Sequence, residues 1–118
     1  MITGVHTVIF NRDPEATRRF FAESLGMPAV DAGGGWLIFA LPPAELGIHP
    51  TDASGSHEIF LMCDDIHTTV AELTAKGVEF AAPIEDQRFG LVTRMKIPGD
   101  AEVSLYQPEH PAAITLTG

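Results

Sequence analysis

The chain has 118 residues, 45% of them hydrophobic and 19% charged, which is typical of one folded domain with its own core. Sixteen acidic residues against seven basic ones give a formal net charge of −9, a balance that disfavours binding to nucleic acids or anionic membranes. No apolar run approaches the roughly 20 residues that span a bilayer, and the single cysteine excludes an intrachain disulfide and indicates a cytoplasmic protein.

The first half of the chain is predicted to hold one helix and four strands. TGVHTVIF, residues 3–10, is β-branched and apolar and predicts a buried strand. Asp13 and Pro14 fit the N-cap and first position of a helix that ends at Gly26. Short strands are predicted at residues 27–30, at 36–41 after a GGG turn, and at 45–49.

The second half repeats the same order of elements. HEIFLMC, residues 57–63, predicts a strand, and Asp64 or Asp65 then caps a helix that ends at Gly77. PIEDQRFG, residues 83–90, is typical of a loop. The remaining strands are predicted at residues 78–80, 91–97 and 102–107.

A constant offset of 51 residues relates the two halves. It holds for the pairs His6 and His57, Asp13 and Asp64, and Gly26 and Gly77. Such a repeat indicates a duplicated unit. We therefore predict a single α+β domain over residues 1–118, with one βαβββ module at about 3–50, a second at about 57–108, and a tail at 109–118.

Four segments carry a resemblance to a known family: HTVIFNRDPEATRRFFAESLGM, WLIFALPPAELGIHP, HEIFLMCDDIHTTVAELTAKGVEF and IPGDAEVSLYQP. They resemble the vicinal-oxygen-chelate superfamily, which includes glyoxalase I, extradiol dioxygenases and bleomycin-resistance proteins. The resemblance implies that the two modules fold their sheets into a half-open barrel around a cavity. It also implies a small-molecule ligand and a homodimer.

A divalent metal ion (Zn, Ni, Mn or Fe) is a further implication of the resemblance. Metal-binding members carry a histidine on the opening strand, where this sequence has His6. In the second module the 51-residue offset selects His57, whereas counting back from DDI selects Glu58. Neighbouring residues on a strand point to opposite faces, so only one of these two is expected to face the cavity. His49 is an additional candidate ligand.

The closing strand departs from the family pattern. Ser104 stands where members usually hold a ligating glutamate, and a neutral hydroxyl is a weak ligand for a divalent ion. Glu102 and Tyr106 share its face by strand alternation, each about 7 Å away. Glu102 and Glu58 are the carboxylates that we predict to move a proton if the protein is an enzyme, and Glu45 is an alternative both for that role and, beside His49, as a metal ligand.

Two functions remain open from the sequence. The first is a metal-dependent lyase or dioxygenase acting on a substrate with adjacent oxygens, which the match at His6 favours. The second is a metal-free protein that sequesters a drug or metabolite, as bleomycin-resistance relatives do, which Ser104 favours. In either case we expect the ligand pocket to include Trp36, Phe39, Arg94, Ser104 and Tyr106.

Overall fold

The computed structural model of the chain describes residues 6–48, 50, 52–53, 56–111 and 113. Over these residues the elements follow the α+β class that the sequence predicts. In chain order they are α1 (Pro14–Arg19) with a π-helical turn (Phe20–Ser24), β1 (Ala29–Asp31), β2 (Leu37–Phe39), β3 (Phe60–Met62), α2 (Ile66–Ala75), β4 (Glu85–Gln87), β5 (Gly90–Ile97) and β6 (Ala101–Pro108).

The second half of the chain forms a four-stranded sheet in the order β3-β6-β5-β4. β3 runs parallel to β6, while β6, β5 and β4 pair antiparallel. Phe60 lies opposite Ser104, and Ser104 lies opposite Arg94, so these three residues share one face. The predicted strand at 78–80 is reduced to a single bridge between Phe80 and Met95.

The two faces of this sheet differ in chemistry because side chains alternate along each strand. One face packs against α2 and forms the hydrophobic core, whose buried members are Ile66, Leu73, Val78, Met95, Ile97, Val103 and Leu105. We call the opposite side the open face. By strand alternation it carries Phe60, Met62, Val92, Arg94, Lys96, Glu102, Ser104 and Tyr106.

Both helices begin as the sequence predicts. The Asp13 carboxylate accepts a hydrogen bond from the Ala16 N–H at 3.2 Å, and Pro14 occupies the first helical position. In the second half the cap is Asp65, whose carboxylate accepts from the Thr68 N–H at 3.2 Å.

Asp65→Ala is expected to lower the melting temperature, because it removes the partner of an otherwise unpaired helix N–H. The hydrogen bond from Thr68 holds the pKa of Asp65 below its ordinary value. A lowered folded-state pKa gives stability that is present above the ordinary aspartate pKa of about 3.9 and is lost as the pH falls through the lower value. The gap between wild type and variant, measured by circular dichroism melts, should therefore narrow between pH 7 and pH 3.

The matched control is Asp65→Asn, since asparagine caps a helix but carries no charge. It should retain most of the melting temperature at pH 7 and remove the contribution of this group to the pH dependence. Equal melting temperatures for wild type and Asp65→Ala at pH 7 would contradict the assigned cap.

The first half of the chain forms fewer of its predicted strands than the second half. The hairpin β1–β2 pairs Val30 with Ile38 around the predicted GGG turn, where the Asp31 carboxylate accepts from the Gly33 and Gly35 N–H groups. Residues 6–10 and 45–48 form no strand, so the predictions there are wrong over those ranges; residues 3–5 and 49 lie outside the described part. In the second half, β3 pairs with β6, and α2 packs against the core that the sheet forms. In the first half, the apolar side chains of residues 8–10, 46 and 48 stay exposed.

A further correction concerns the predicted loop at 83–90. Residues 85–87 form β4, which turns directly into β5 with Gln87 opposite Gly90. Polar composition favoured a loop here, but β4 is an exposed edge strand, where charged residues are tolerated.

The first helix is fastened to the second half of the chain at the turn between β5 and β6. The Asn11 side-chain amide donates to the Pro98 carbonyl oxygen at 2.8 Å, and the Thr17 hydroxyl lies 3.4 Å from the same oxygen. Phe20 and Leu25 pack against the main core. These contacts position residues 8–9 beside the adjoining ends of β3 and β6.

Candidate functional site

A shallow depression of about 340 Å³ lies where the N-terminal segment passes the sheet. Val8 and Ile9 form one wall, and the other comes from residues 57–59, just before β3, and residues 102–104 of β6. Both His57 and Glu58 line it. The prediction that only one of them faces the cavity assumed strand alternation, but regular pairing begins only at Phe60.

Charges of both signs surround the depression. Arg94 Nε lies 3.4 Å from Glu102 Oε1, and both side chains are about half exposed, so this ion pair contributes little to stability. Lys96 lies opposite Glu102 across the β5–β6 pair. Glu58 adds a second carboxylate to the same wall as Glu102.

Three aromatic rings pack together farther along the open face. Phe60, Phe89 and Tyr106 have ring centroids 5.4 to 6.1 Å apart, with interplanar angles between 69° and 87°. Edge-to-face packing of this kind is favourable, because the positive ring edge meets the negative ring face. We call these residues the aromatic cluster. It lies next to Ser104, which pairs with Phe60 and precedes Tyr106 by two residues on β6.

A polar group covers the hydroxyl end of this cluster. The Tyr106 hydroxyl donates to Glu45 Oε1 at 3.4 Å and lies 3.2 Å from His110 Nε2. His110 Nε2 is also 3.6 Å from Glu45 Oε1, and the Ala113 N–H donates to Glu45 Oε2 at 2.7 Å. Glu45, from the first half of the chain, therefore meets strand β6 and the tail that directly follows β6.

Burial raises the pKa of Tyr106, and the negative charge of Glu45 and the hydrogen bond to it raise the pKa further. The hydroxyl therefore stays protonated at neutral pH and acts as a donor.

Burial also raises the pKa of the Cys63 thiol. A hydrogen bond from Thr69 lowers this pKa, and the negative charges of Asp64 and Asp65 raise it. This is the opposite of what a reactive cysteine needs.

The predicted metal ligands are not gathered into one donor set. His57 and Glu58 line the depression, His6 is exposed and is not among its lining residues, and His49 lies outside the described part. Within the described ranges, no three His, Cys, Asp or Glu side chains lie close enough together to hold a metal ion. The side chains as placed do not fit a divalent metal, and the ligand set remains a prediction.

The predicted pocket residues separate into two places. Arg94, Ser104 and Tyr106 share the open face. Trp36 and Phe39 instead lie at the β1–β2 hairpin, where Arg18 sits 5.4 Å above the Trp36 ring and Phe39 is 5.9 Å from the ring of Phe21.

Sequence reasoning considered Glu45 as a ligand or proton-transfer group but missed its hydrogen bond with Tyr106, and it missed the roles of Phe60 and His110. Tyr106 and His110 are four positions apart in the sequence, which gives only a weak local signal. Glu45 is 61 residues from Tyr106, and no spacing rule connects them.

Comparison with protein-family models identifies one family. The model of the Glyoxalase/Bleomycin resistance protein/Dioxygenase superfamily matches residues 4–105. No curated protein matches the chain significantly. Within the described part of the chain, no helix is long and apolar enough to cross a membrane.

Solved structures show the same fold at low sequence identity. An antibiotic-binding protein, TnmS3 from Streptomyces sp. CB03234, is 24% identical with a TM-score of 0.66, and the match covers 92% of this chain and 98% of that one. A lactoylglutathione lyase from Agrobacterium tumefaciens is 14% identical with a TM-score of 0.65, covering 89% and 92%. A superfamily member from Sphaerobacter thermophilus is 24% identical with a TM-score of 0.62, covering 90% and 98%.

Proposed function

Since the chain belongs to the Glyoxalase/Bleomycin resistance protein/Dioxygenase superfamily, we propose that it binds a small, partly aromatic molecule on the open face and sequesters it without turnover. The observation that carries this proposal is the aromatic cluster of Phe60, Phe89 and Tyr106 on that face. Small-molecule sites are mostly apolar and aromatic, with a few polar groups that fix orientation. Ser104 and Arg94 supply such groups beside the rings.

Two further points support sequestration over catalysis. Ser104, where metal-binding members usually hold a ligating glutamate, is a neutral residue that lies between Phe60 and Arg94 in the sheet. A protein of the same fold is an antibiotic-binding protein. We propose that this chain likewise acts in the cytoplasm as a resistance-type binding protein.

We also propose that the protein is a homodimer. Among the described residues, every large hydrophobic side chain that is strongly exposed lies between residues 8 and 48: Val8, Ile9, Phe10, Val30, Trp36, Ile38, Leu41, Leu46 and Ile48. Such a concentration marks a surface that another molecule covers. In a closed twofold pair, which is the commonest kind of oligomer, the same surface of both copies meets, so a second copy of the chain would cover these side chains.

One observation favours a metal-dependent lyase or dioxygenase as a second candidate. His57, Glu58 and Glu102 line the same depression, and these residue types are ones that metal enzymes and proton-transfer sites use. To hold a metal ion, these three side chains would have to lie closer together than they do in the structure.

The experiment that tests the proposed function screens a set of one- and two-ring aromatic compounds by ligand-observed NMR. Hits should bind wild type and bind Phe60→Leu about tenfold more weakly, because leucine keeps the apolar volume but loses the ring contacts. Trp36→Leu is the matched control and should leave the affinity unchanged, since Trp36 lies on the other hairpin.

Hits that bind Phe60→Leu as tightly as wild type would contradict the proposal. The same samples, dialysed against trace Mn, Fe, Ni and Zn, are analysed for metal content. Near-stoichiometric metal in wild type that is lost in Glu58→Gln and in His57→Ala would favour the enzyme candidate instead.

A further inference from the structure

The tail places an imidazole ring on the edge of the aromatic cluster. The rings of His110 and Tyr106 are 6.2 Å apart by centroid and inclined by only 28°, so they stack. Its Nε2 atom lies 3.2 Å from the Tyr106 hydroxyl oxygen and 3.6 Å from Glu45 Oε1. A flat nitrogen heterocycle is thus held between an aromatic ring and a carboxylate.

The position of this ring is fixed by contacts on every polar atom. His110 Nδ1 lies 2.8 Å from the Pro111 carbonyl oxygen, which accepts and so requires the proton on Nδ1. With the single Tyr106 hydroxyl proton donated to Glu45, Nε2 contributes an N–H to this group only in the charged ring; in the neutral ring that hydroxyl proton goes either to Nε2 or to Glu45, not to both.

The carboxylate that faces the imidazole is itself largely enclosed. The Glu45 side chain is 14% exposed. Its oxygens receive the Tyr106 hydroxyl and the Ala113 N–H, the second from the same tail. The tail therefore contributes one of the donors to this carboxylate, at the edge of the aromatic cluster.

We infer that the tail around His110 fills a subsite for the ligand, and that this subsite takes a protonated aromatic amine or nitrogen heterocycle. The inference rests on the proposed binding function. The ring of the ligand would take the place of the imidazole on Tyr106, and the N–H of the ligand would point to Glu45, where the Ala113 N–H of the tail now donates. Ligand and tail therefore compete for the same carboxylate. The charged groups that face His110 here are Glu45 and, next to it in sequence, Glu109.

The test uses Tyr106, which is the single tyrosine of the chain. Its acetylation by N-acetylimidazole is followed by intact mass, counting only the groups that hydroxylamine removes. His110→Ala should react at least fivefold faster than wild type, since it uncovers the hydroxyl. His67→Ala is the matched control, because His67 is exposed on α2, against the other face of the sheet. It should react at the wild-type rate.

Binding of a probe pair then identifies the ligand class. The tertiary amine N,N-dimethyl-2-naphthylmethylamine, which is charged at neutral pH and forms no stable amide with the reagent, should bind His110→Ala about tenfold more tightly than wild type and should slow acetylation of Tyr106. The neutral 2-naphthylmethanol should bind more weakly, and Glu45→Gln combined with His110→Ala should abolish the preference for the amine.

Equal acetylation rates for wild type and His110→Ala would overturn the inference, as would amine binding that His110→Ala leaves unchanged. Faster acetylation without protection by the amine would also overturn it, because the tail would then cover Tyr106 without standing in for a ligand. Failure of the proposed function gives a different result: the aromatic hits would bind Phe60→Leu as tightly as wild type.

Discussion

Met95→Ala should lower the free energy of unfolding by about 2 to 5 kcal/mol. Met95 is 0% exposed and lies in the middle of β5, where it pairs with Val103 on one side and bridges to Phe80 on the other. Its side chain packs in the core with residues of α2, so truncation leaves a cavity that strands fixed on both sides cannot close. The loss is a large part of the roughly 5 to 15 kcal/mol that stabilises a typical domain.

The neighbouring Lys96→Ala is the matched control, because Lys96 is exposed on the other face of the same strand. It should change the stability by less than about 0.5 kcal/mol. Urea unfolding followed by circular dichroism measures both: the midpoint should fall for Met95→Ala at an unchanged slope. A loss below about 1 kcal/mol would show that the core around Met95 repacks freely and that the assigned burial is wrong.

The features that the sequence predicted well are those decided by neighbouring residues. The N-cap at Asp13 and the proline after it follow from local hydrogen bonding, and the structure confirms both. Strands β5 and β6 were predicted nearly to the residue, since each is a run of eight with strong β-formers. The resemblance to the family is confirmed, and it could be seen in the sequence because the four segments that carry it span most of the chain.

Features that depend on distant partners were predicted poorly. Residues 6–10 have the composition of a strand but pair with no strand among the residues that the structure describes. A strand forms only where its backbone N–H and C=O groups find partners on a neighbouring strand, whatever its composition. The group of Glu45, Tyr106 and His110 joins segments 61 and 4 residues apart, and only the fold brings them together. The residues of the candidate site on β6, namely Glu102, Ser104 and Tyr106, could therefore be predicted from the sequence. The contacts that other segments of the chain make with β6 could not.

Replacing Leu46 by glutamate should convert the proposed homodimer into monomers. Leu46 is 87% exposed in the single chain, and it belongs to the exposed apolar set that all lies between residues 8 and 48. If a second copy covers this surface, a carboxylate placed there is buried without a partner, which is strongly unfavourable. The dimer dissociation constant should rise at least about 100-fold, which corresponds to about 2.7 kcal/mol.

Light scattering after gel filtration, over protein concentrations from 1 to about 100 μM, separates the outcomes. Phe10→Glu, at a side chain that is 93% exposed, should give the same result from a different segment. Thr74→Glu adds the same charge to an exposed position on α2 and should leave the dimer intact. Because Leu46 and Phe10 contribute little to the fold of a single chain, both variants should keep the wild-type circular dichroism spectrum. Wild type that is monomeric at every concentration, or a dimer that survives both glutamates, would mean that this apolar surface is not where two copies meet.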